Sequence, residues 1–140
     1  MKKFLYAAAI VLFASQGVSA AESMAHKLSG SILLQVESKG EAWYVNPGEE
    51  KRYFLGRPSD AFAVMRKLGL GVSNKSFAAF EKSGVPKNFA GKILLKVEDK
   101  GKAYYVSPKT LKMHFLGRPA DAFGVMREQG IGISNANLTS

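Results

Sequence analysis

The stretch from Gly30 to Asn74 aligns without a gap on Gly91 to Asn135, a spacing of 61, and 28 of the 45 paired positions are identical. Nothing else in the chain constrains its fold as strongly, because self-similarity at this level means one supersecondary unit used twice. Ile32-Leu33-Leu34 matches Ile93-Leu94-Leu95, and Tyr44-Val45 matches Tyr105-Val106. Phe54-Leu55-Gly56-Arg57-Pro58 matches Phe115-Leu116-Gly117-Arg118-Pro119. Asp60-Ala61-Phe62 and Val64-Met65-Arg66 match Asp121-Ala122-Phe123 and Val125-Met126-Arg127.

Each copy opens with a strand in which Ile32, Leu34 and Val36, or Ile93, Leu95 and Val97, share one face at period two. Gln35 and Glu37 take the opposite face. A short connection follows, Ser38 to Glu41 or Asp99 to Lys102, with glycine where a hairpin needs a positive φ. The second strand is Ala42-Trp43-Tyr44-Val45 or Ala103-Tyr104-Tyr105-Val106, rich in residues that suit a pleated surface, and Pro47 or Pro108 ends it. A third short strand, Arg52 to Leu55 or Met113 to Leu116, completes a three-stranded meander. The helix after it begins at Pro58 or Pro119, where the missing N–H costs nothing, with Asp60 or Asp121 in the positive first turn. Ala61, Phe62, Met65 and Leu68 form its apolar stripe, and Gly69 stands where such a helix terminates. The expected fold class is α+β, two tandem β-β-β-α units packed together, each helix lying on its own sheet.

Around the repeats the chain divides into residues 1–20, a lead-in at 21–29, repeat 1 at 30–74, a connection at 75–90, repeat 2 at 91–135 and a tail at 136–140, expected to fray. Lys2 and Lys3, the apolar run from Phe4 to Phe13, and Val18-Ser19-Ala20 have the three parts of a secretory signal, which predicts cleavage after Ala20. That apolar run is shorter than the roughly 20 residues of a membrane-crossing helix, so no membrane span is expected. The connection carries Phe77, Phe80 and Val85, too apolar for a free linker, and suits one short helix over 76–82 before Gly84 and Pro86.

With no cysteine in the chain, neither a disulfide framework nor lipidation of an N-terminal Cys is available. The formal charge of +9 becomes +7 once Lys2 and Lys3 leave, which favours anionic partners such as envelope polymers. For an exported protein nucleic acid is not the expected partner, and the basic residues are scattered rather than run together.

The string Ala42-Trp43-Tyr44-Val45-Asn46-Pro47, followed by Arg52 to Pro58 and Asp60-Ala61-Phe62, resembles a tandem repeat of exported bacterial proteins. The resemblance covers both copies, implies a periplasmic or extracellular setting, and implies no catalytic residues. The second copy departs from it with Tyr104 for Trp43, Ser107 for Asn46 and His114 for Tyr53. A looser similarity, through Gly40 to Pro47 and Gly101 to Pro108, is to the aromatic hairpins of bacterial glucan- and choline-binding modules.

Catalytic chemistry finds little support. There is no thiol and no Gly-x-Ser-x-Gly elbow, the only histidines are His26 and His114, and no cluster has metal-ligand spacing, so neither a metal nor another cofactor is expected. Asp60 and Asp121 can serve a glycosidase only if packing brings them together. An acid in the first helical turn already has a structural reason. Arg57 and Arg118, each between Gly and Pro, can grip carboxylate or phosphate in a fork, or pair with the nearby Asp. Adjacent aromatics must point to opposite sheet faces, so of Trp43 and Tyr44, and of Tyr104 and Tyr105, one faces the core and the other is either offered outward or, where both sheet faces are covered, core as well.

The residues together favour a non-catalytic exported binding or structural module of the cell envelope, contacting an anionic glycan or an envelope protein through Trp43, Tyr44, Arg57, Tyr104, Tyr105 and Arg118. The competing reading is a periplasmic glycan hydrolase, or a small inhibitor of one, with a site between the repeats where Asp60, Asp121, Arg57 and Arg118 converge.

Overall fold

The structure, a computed structural model, describes residues 22–140, so the signal-like segment and its expected cleavage point lie outside the described residues. After a one-turn helix α1 (Met24–Lys27) come the strands β1 (Ile32–Gln35), β2 (Ala42–Asn46) and β3 (Lys51–Phe54), and then helix α2 (Pro58–Leu68). A short strand β4 (Leu70–Val72), helix α3 (Asn74–Ser83) and a 3-10 turn (Lys87–Phe89) lead into β5 (Ile93–Lys96), β6 (Lys102–Val106) and β7 (Met113–Phe115). Helix α4 (Pro119–Gln129), strand β8 (Ile131–Ile133) and helix α5 (Asn135–Thr139) complete the order.

The strands form two four-stranded sheets, ordered β3-β2-β1-β8 and β4-β5-β6-β7. Within each, three consecutive strands pair antiparallel, with Trp43 opposite Leu33 and Phe54 in the first, and Tyr104 opposite Leu94 and Phe115 in the second. The fourth strand in each sheet is parallel and comes from the other repeat: Leu70 pairs with Leu94, and Ile131 with Leu33. The expected β-β-β-α unit therefore has a further strand, which leaves its own meander for the neighbouring one. Parallel strands need a long crossover, and α3 supplies the one between β4 and β5.

The exchange extends to the helices. Instead of lying on its own sheet, α2 packs on α4 and reaches β5, while α4 reaches β1. Gly69 ends α2 with an extended backbone, φ −70° and ψ 148°, rather than a left-handed cap. Its lack of a side chain has another cause, since a Cβ there would stand 2.7 Å from Cγ of Leu95 on β5. Gly130 stands in the same relation to Leu34 on β1, at 2.6 Å. The carboxylates of Glu37 and Glu98 cap helices of the opposite repeat, accepting the N–H of Asn135 at 2.8 Å and of Asn74 at 3.1 Å.

One core lies between the sheets, where Ile32, Tyr44, Leu55 and Met65 meet Ile93, Tyr105, Leu116 and Met126. Fully buried residues such as Leu55 and Leu116 each contribute about 1.5–3 kcal/mol by leaving water. At its centre Gly30 and Gly91, both with positive φ, touch backbone to backbone. The Tyr44 hydroxyl donates to the Gly91 carbonyl at 2.6 Å and the Tyr105 hydroxyl to the Gly30 carbonyl at 2.7 Å. These two bonds tie each half to the other's first turn.

The outer sheet faces are covered unequally. Over the second sheet, α3 and the 3-10 turn place Phe77, Phe80 and Phe89 on Leu94, Tyr104 and Val106. Over the first, Leu28 and Leu138 do the same for Leu33, Trp43 and Val45. Leu138 is buried in the helix α5, so the segment expected to fray is docked. Val36 and Val97, expected on the apolar face, are exposed and lie one residue past the strand ends at Gln35 and Lys96, each still donating its N–H to the parallel neighbour.

Candidate functional site

The repeated turn Phe-Leu-Gly-Arg-Pro is where the chain leaves the sheet for a helix, and it presents side chains to solvent for a local reason. Leu55 and Leu116 turn inward and are fully buried, so the preceding Phe54 and Phe115 are directed outward and are each 50% exposed. Phe54 lies 5.0 Å from the Trp43 ring and Phe115 5.2 Å from the Tyr104 ring. Gly56 and Gly117 let those phenyl rings lie close over the backbone, for a Cβ on Gly56 would be 3.1 Å from Cε1 of Phe54.

Arg57 and Arg118 follow, with side chains 84% and 85% exposed. Asp60 accepts from Nε of Arg57 at 3.2 Å and from its backbone N–H at 3.4 Å. Asp121 accepts from Nε of Arg118 at 3.1 Å and also engages its Nη2 at 3.5 Å. Hydrogen bonding to Arg118 holds the Asp121 carboxyl below the usual carboxylate range and holds Arg118 more firmly charged. Each aspartate is thus the partner of the arginine three residues before it.

Around Arg57 is an open cleft of about 420 Å³, lined by residues 39–42 at the β1–β2 hairpin, Phe54, Gly56, Arg57, Asp60, and Phe123 from α4. A stacking surface and two cations, Lys39 and Arg57, meet there with two carboxylates, Glu41, which accepts from Ser38 and the Lys39 N–H, and Asp60. Asp60 takes the Nε side of Arg57, and the exposed remainder of the guanidinium can fork onto a carboxylate or phosphate.

The other candidates are placed differently. Tyr44 and Tyr105 are buried with their hydroxyls committed to the opposite half, and burial pushes both phenols well above the usual tyrosine range. They are core residues, out of reach of a ligand on the sheet surface. Tyr104 is half-buried beneath Phe77, ring centroids 4.5 Å apart. Trp43 is half-buried, its Nε1 donating to Gln35 at 3.2 Å and its ring under Arg52, whose guanidinium also donates to the Leu138 carbonyl. Between α1, α5 and the first sheet is a separate cavity of about 200 Å³, lined by Leu28, Leu33, Val45 and Leu138 among others.

Phe54, Phe115, Lys39 and Phe123 were not among the residues the sequence singled out. The signal for Phe54 and Phe115 is present in the repeated block: once Leu55 is core, the residue before it points away. No such signal exists for Phe123, which reaches the cleft only because α4 crosses to the other sheet. Among the described residues no group of three or more His, Asp or Glu is placed to hold a metal ion. Nor is any described helix long and apolar enough to cross a membrane. No protein-family model, curated protein or solved structure matches the chain. The functional reading rests on the residues and their geometry.

Proposed function

We propose that this chain is an exported, non-catalytic binding module of the cell envelope or extracellular space, which recognises an anionic glycan at its Phe-Leu-Gly-Arg-Pro turns. The observation that carries the proposal is the half-exposed Phe54 beside the exposed Arg57 on the rim of one cleft. A phenyl face suits the apolar face of a sugar ring, and a guanidinium suits its carboxylate or phosphate substituent. The +7 charge expected of residues 21–140 raises the local concentration of such a polymer. The signal-like residues 1–20 and the resemblance to repeats of exported bacterial proteins support an exported location.

Hydrolysis is the weaker reading because Asp60 and Asp121 are each tied to their own arginine, and at Asp121 that pairing favours the ionised carboxylate rather than a protonated general acid. The test is retention of residues 21–140 on purified anionic cell-wall polymer. Wild type is retained at low salt, released as salt rises, and loses most of its retention with Phe54→Ala and Arg57→Ala together. Equal retention of that double variant and wild type overturns the proposal.

A further inference from the structure

The Arg57 cleft is built from both halves of the molecule: hairpin and turn come from one repeat and Phe123 from the other. Eight of its nine lining residues are identical to their counterparts 61 positions away, against 28 of 45 across the whole repeat. The exception is Glu41, replaced by Lys102. Packing explains Ala42, and the hairpin's positive φ explains Gly40. Neither explains Lys39, which is exposed, while Phe54 and Arg57 keep much of their surface exposed beyond their contacts with Trp43 and Asp60. Among other exposed pairs Gly48 with Lys109, Glu49 with Thr110 and Lys67 with Glu128 have diverged, while Lys51 with Lys112 and Arg66 with Arg127 have not.

The second copy repeats the turn, while its hairpin carries an arginine contact where a Cβ on Gly40 would meet nothing within 4 Å. A Cβ on Gly117 would be 2.8 Å from Cε1 of Phe115 and 3.3 Å from Oδ2 of Asp121, matching the arrangement at Gly56. Helix α2 meets the hairpin at 99–102, where Arg66 donates to the Gly101 carbonyl at 3.2 Å. Arg66 stacks on Phe62, the counterpart of Phe123, at 5.5 Å.

We infer that the chain carries two such clefts, each shared between the halves, and holds one long anionic polysaccharide at both together. The inference rests on the glycan reading above and goes beyond it in number and arrangement. Duplicated sites at a fixed separation suit a polymer whose units recur, and joining two weak contacts on one chain multiplies affinity without new contacts. The clefts differ in charge. Residues 38–41 sum to zero and residues 99–102 to +1, so the Arg118 cleft binds the anionic unit more tightly, by about three- to tenfold for one extra charge near a protein surface.

Titration of residues 21–140 with digalacturonate, followed by amide NMR, reads the clefts separately. Signals of Gly56 and Arg57 and those of Gly117 and Arg118 shift together, the second pair saturating first. Arg57→Ala, and independently Lys39→Ala on the hairpin, weaken only the first pair, while Glu41→Gln, which raises its hairpin to the same +1, brings its affinity up to that of the second. Polygalacturonate binds at least about 100-fold more tightly than digalacturonate and loses at least tenfold with either Arg57→Ala or Arg118→Ala. Shifts at one pair alone, or polymer binding indifferent to one of those arginines, overturn the two-cleft inference and leave the glycan reading standing. Failure to bind either probe overturns both.

Discussion

The contact between Gly30 and Gly91 sets how the two halves meet, and replacing Gly30 by alanine tests it against an internal control. Gly30 and Gly40 have nearly the same backbone, φ +76° and +77°, so a side chain costs each about the same left-handed penalty, roughly 1–2 kcal/mol. Their surroundings differ. A Cβ on Gly40 meets nothing within 4 Å, whereas one on Gly30 would lie 2.6 Å from Cα of Gly91 and 3.3 Å from its carbonyl carbon. Carbon atoms settle at about 3.5–4.0 Å, so the two backbones must part by about 1 Å. The buried Tyr44 and Tyr105 hydroxyls, at 2.6 and 2.7 Å from the glycine carbonyls, then lose their partners at about 1–3 kcal/mol each. Gly30→Ala should therefore destabilise by about 3–8 kcal/mol and Gly40→Ala by about 1–2, out of a total typically near 5–15. Urea unfolding of residues 21–140 followed by circular dichroism measures both. Losses equal within about 0.5 kcal/mol would refute the reasoning, because only the penalty common to both sites would then remain.

Three other outcomes follow from the same contacts. Because Tyr44 and Tyr105 have raised pKa values when folded, the unfolded chain ionises first. Their contribution is then fully present below about pH 10 and falls as pH rises further, by up to about 1.4 kcal/mol per pH unit for each tyrosine; urea midpoints at pH 9 and above, with tyrosinate absorbance, check this. Gly69→Ala should cost about 1–3 kcal/mol by driving a methyl into Leu95 on the opposite sheet, and should cost less when Leu95 is already alanine; additive losses in that double-mutant cycle would argue against the crossed packing. His26 should titrate above 6.5, since Glu50 accepts from its ring at 2.7 Å and adds its charge, and NMR should find it returning toward 6.5 in Glu50→Gln.

The three antiparallel strands and the helix were legible in each copy because their signals are local: alternation from Ile32 to Leu34, Gly40 at the hairpin, and Pro58 with Asp60 at the helix start. The fourth strand was not. Leu70-Gly71-Val72 and Ile131-Gly132-Ile133 are three residues long with glycine in the middle, which weakens any strand signal. That glycine also spares crowding by residues far along the chain, since a Cβ at Gly71 would be 3.0 Å from Val97 and one at Gly132 3.0 Å from Val36. The site divided the same way. Arg57 and Arg118 stood out as guanidiniums between Gly and Pro, but which ring of each aromatic pair faces inward depends on the packing partner, and Tyr44 and Tyr105 face the core.

The repeat itself also concealed how its two copies are joined. Strand β4 meets Leu94-Leu95-Lys96, but Leu33-Leu34-Gln35 offers an almost identical edge, so no local preference distinguishes pairing within a repeat from pairing across it. What separates them is connection. Residues 70–115 form the second sheet as one continuous run, with α3 as crossover, and only the first sheet needs a distant strand, β8, to complete it. The duplicated unit in space therefore begins near Leu70 rather than at Gly30. Crossing at that point carries α2 and α4 onto opposite sheets, which brings Phe123 to the hairpin at 39–42 and gives the Arg57 cleft a wall from the other repeat. A repeat that kept its fourth strand and helix to itself would still present Phe54 and Arg57, but without that wall.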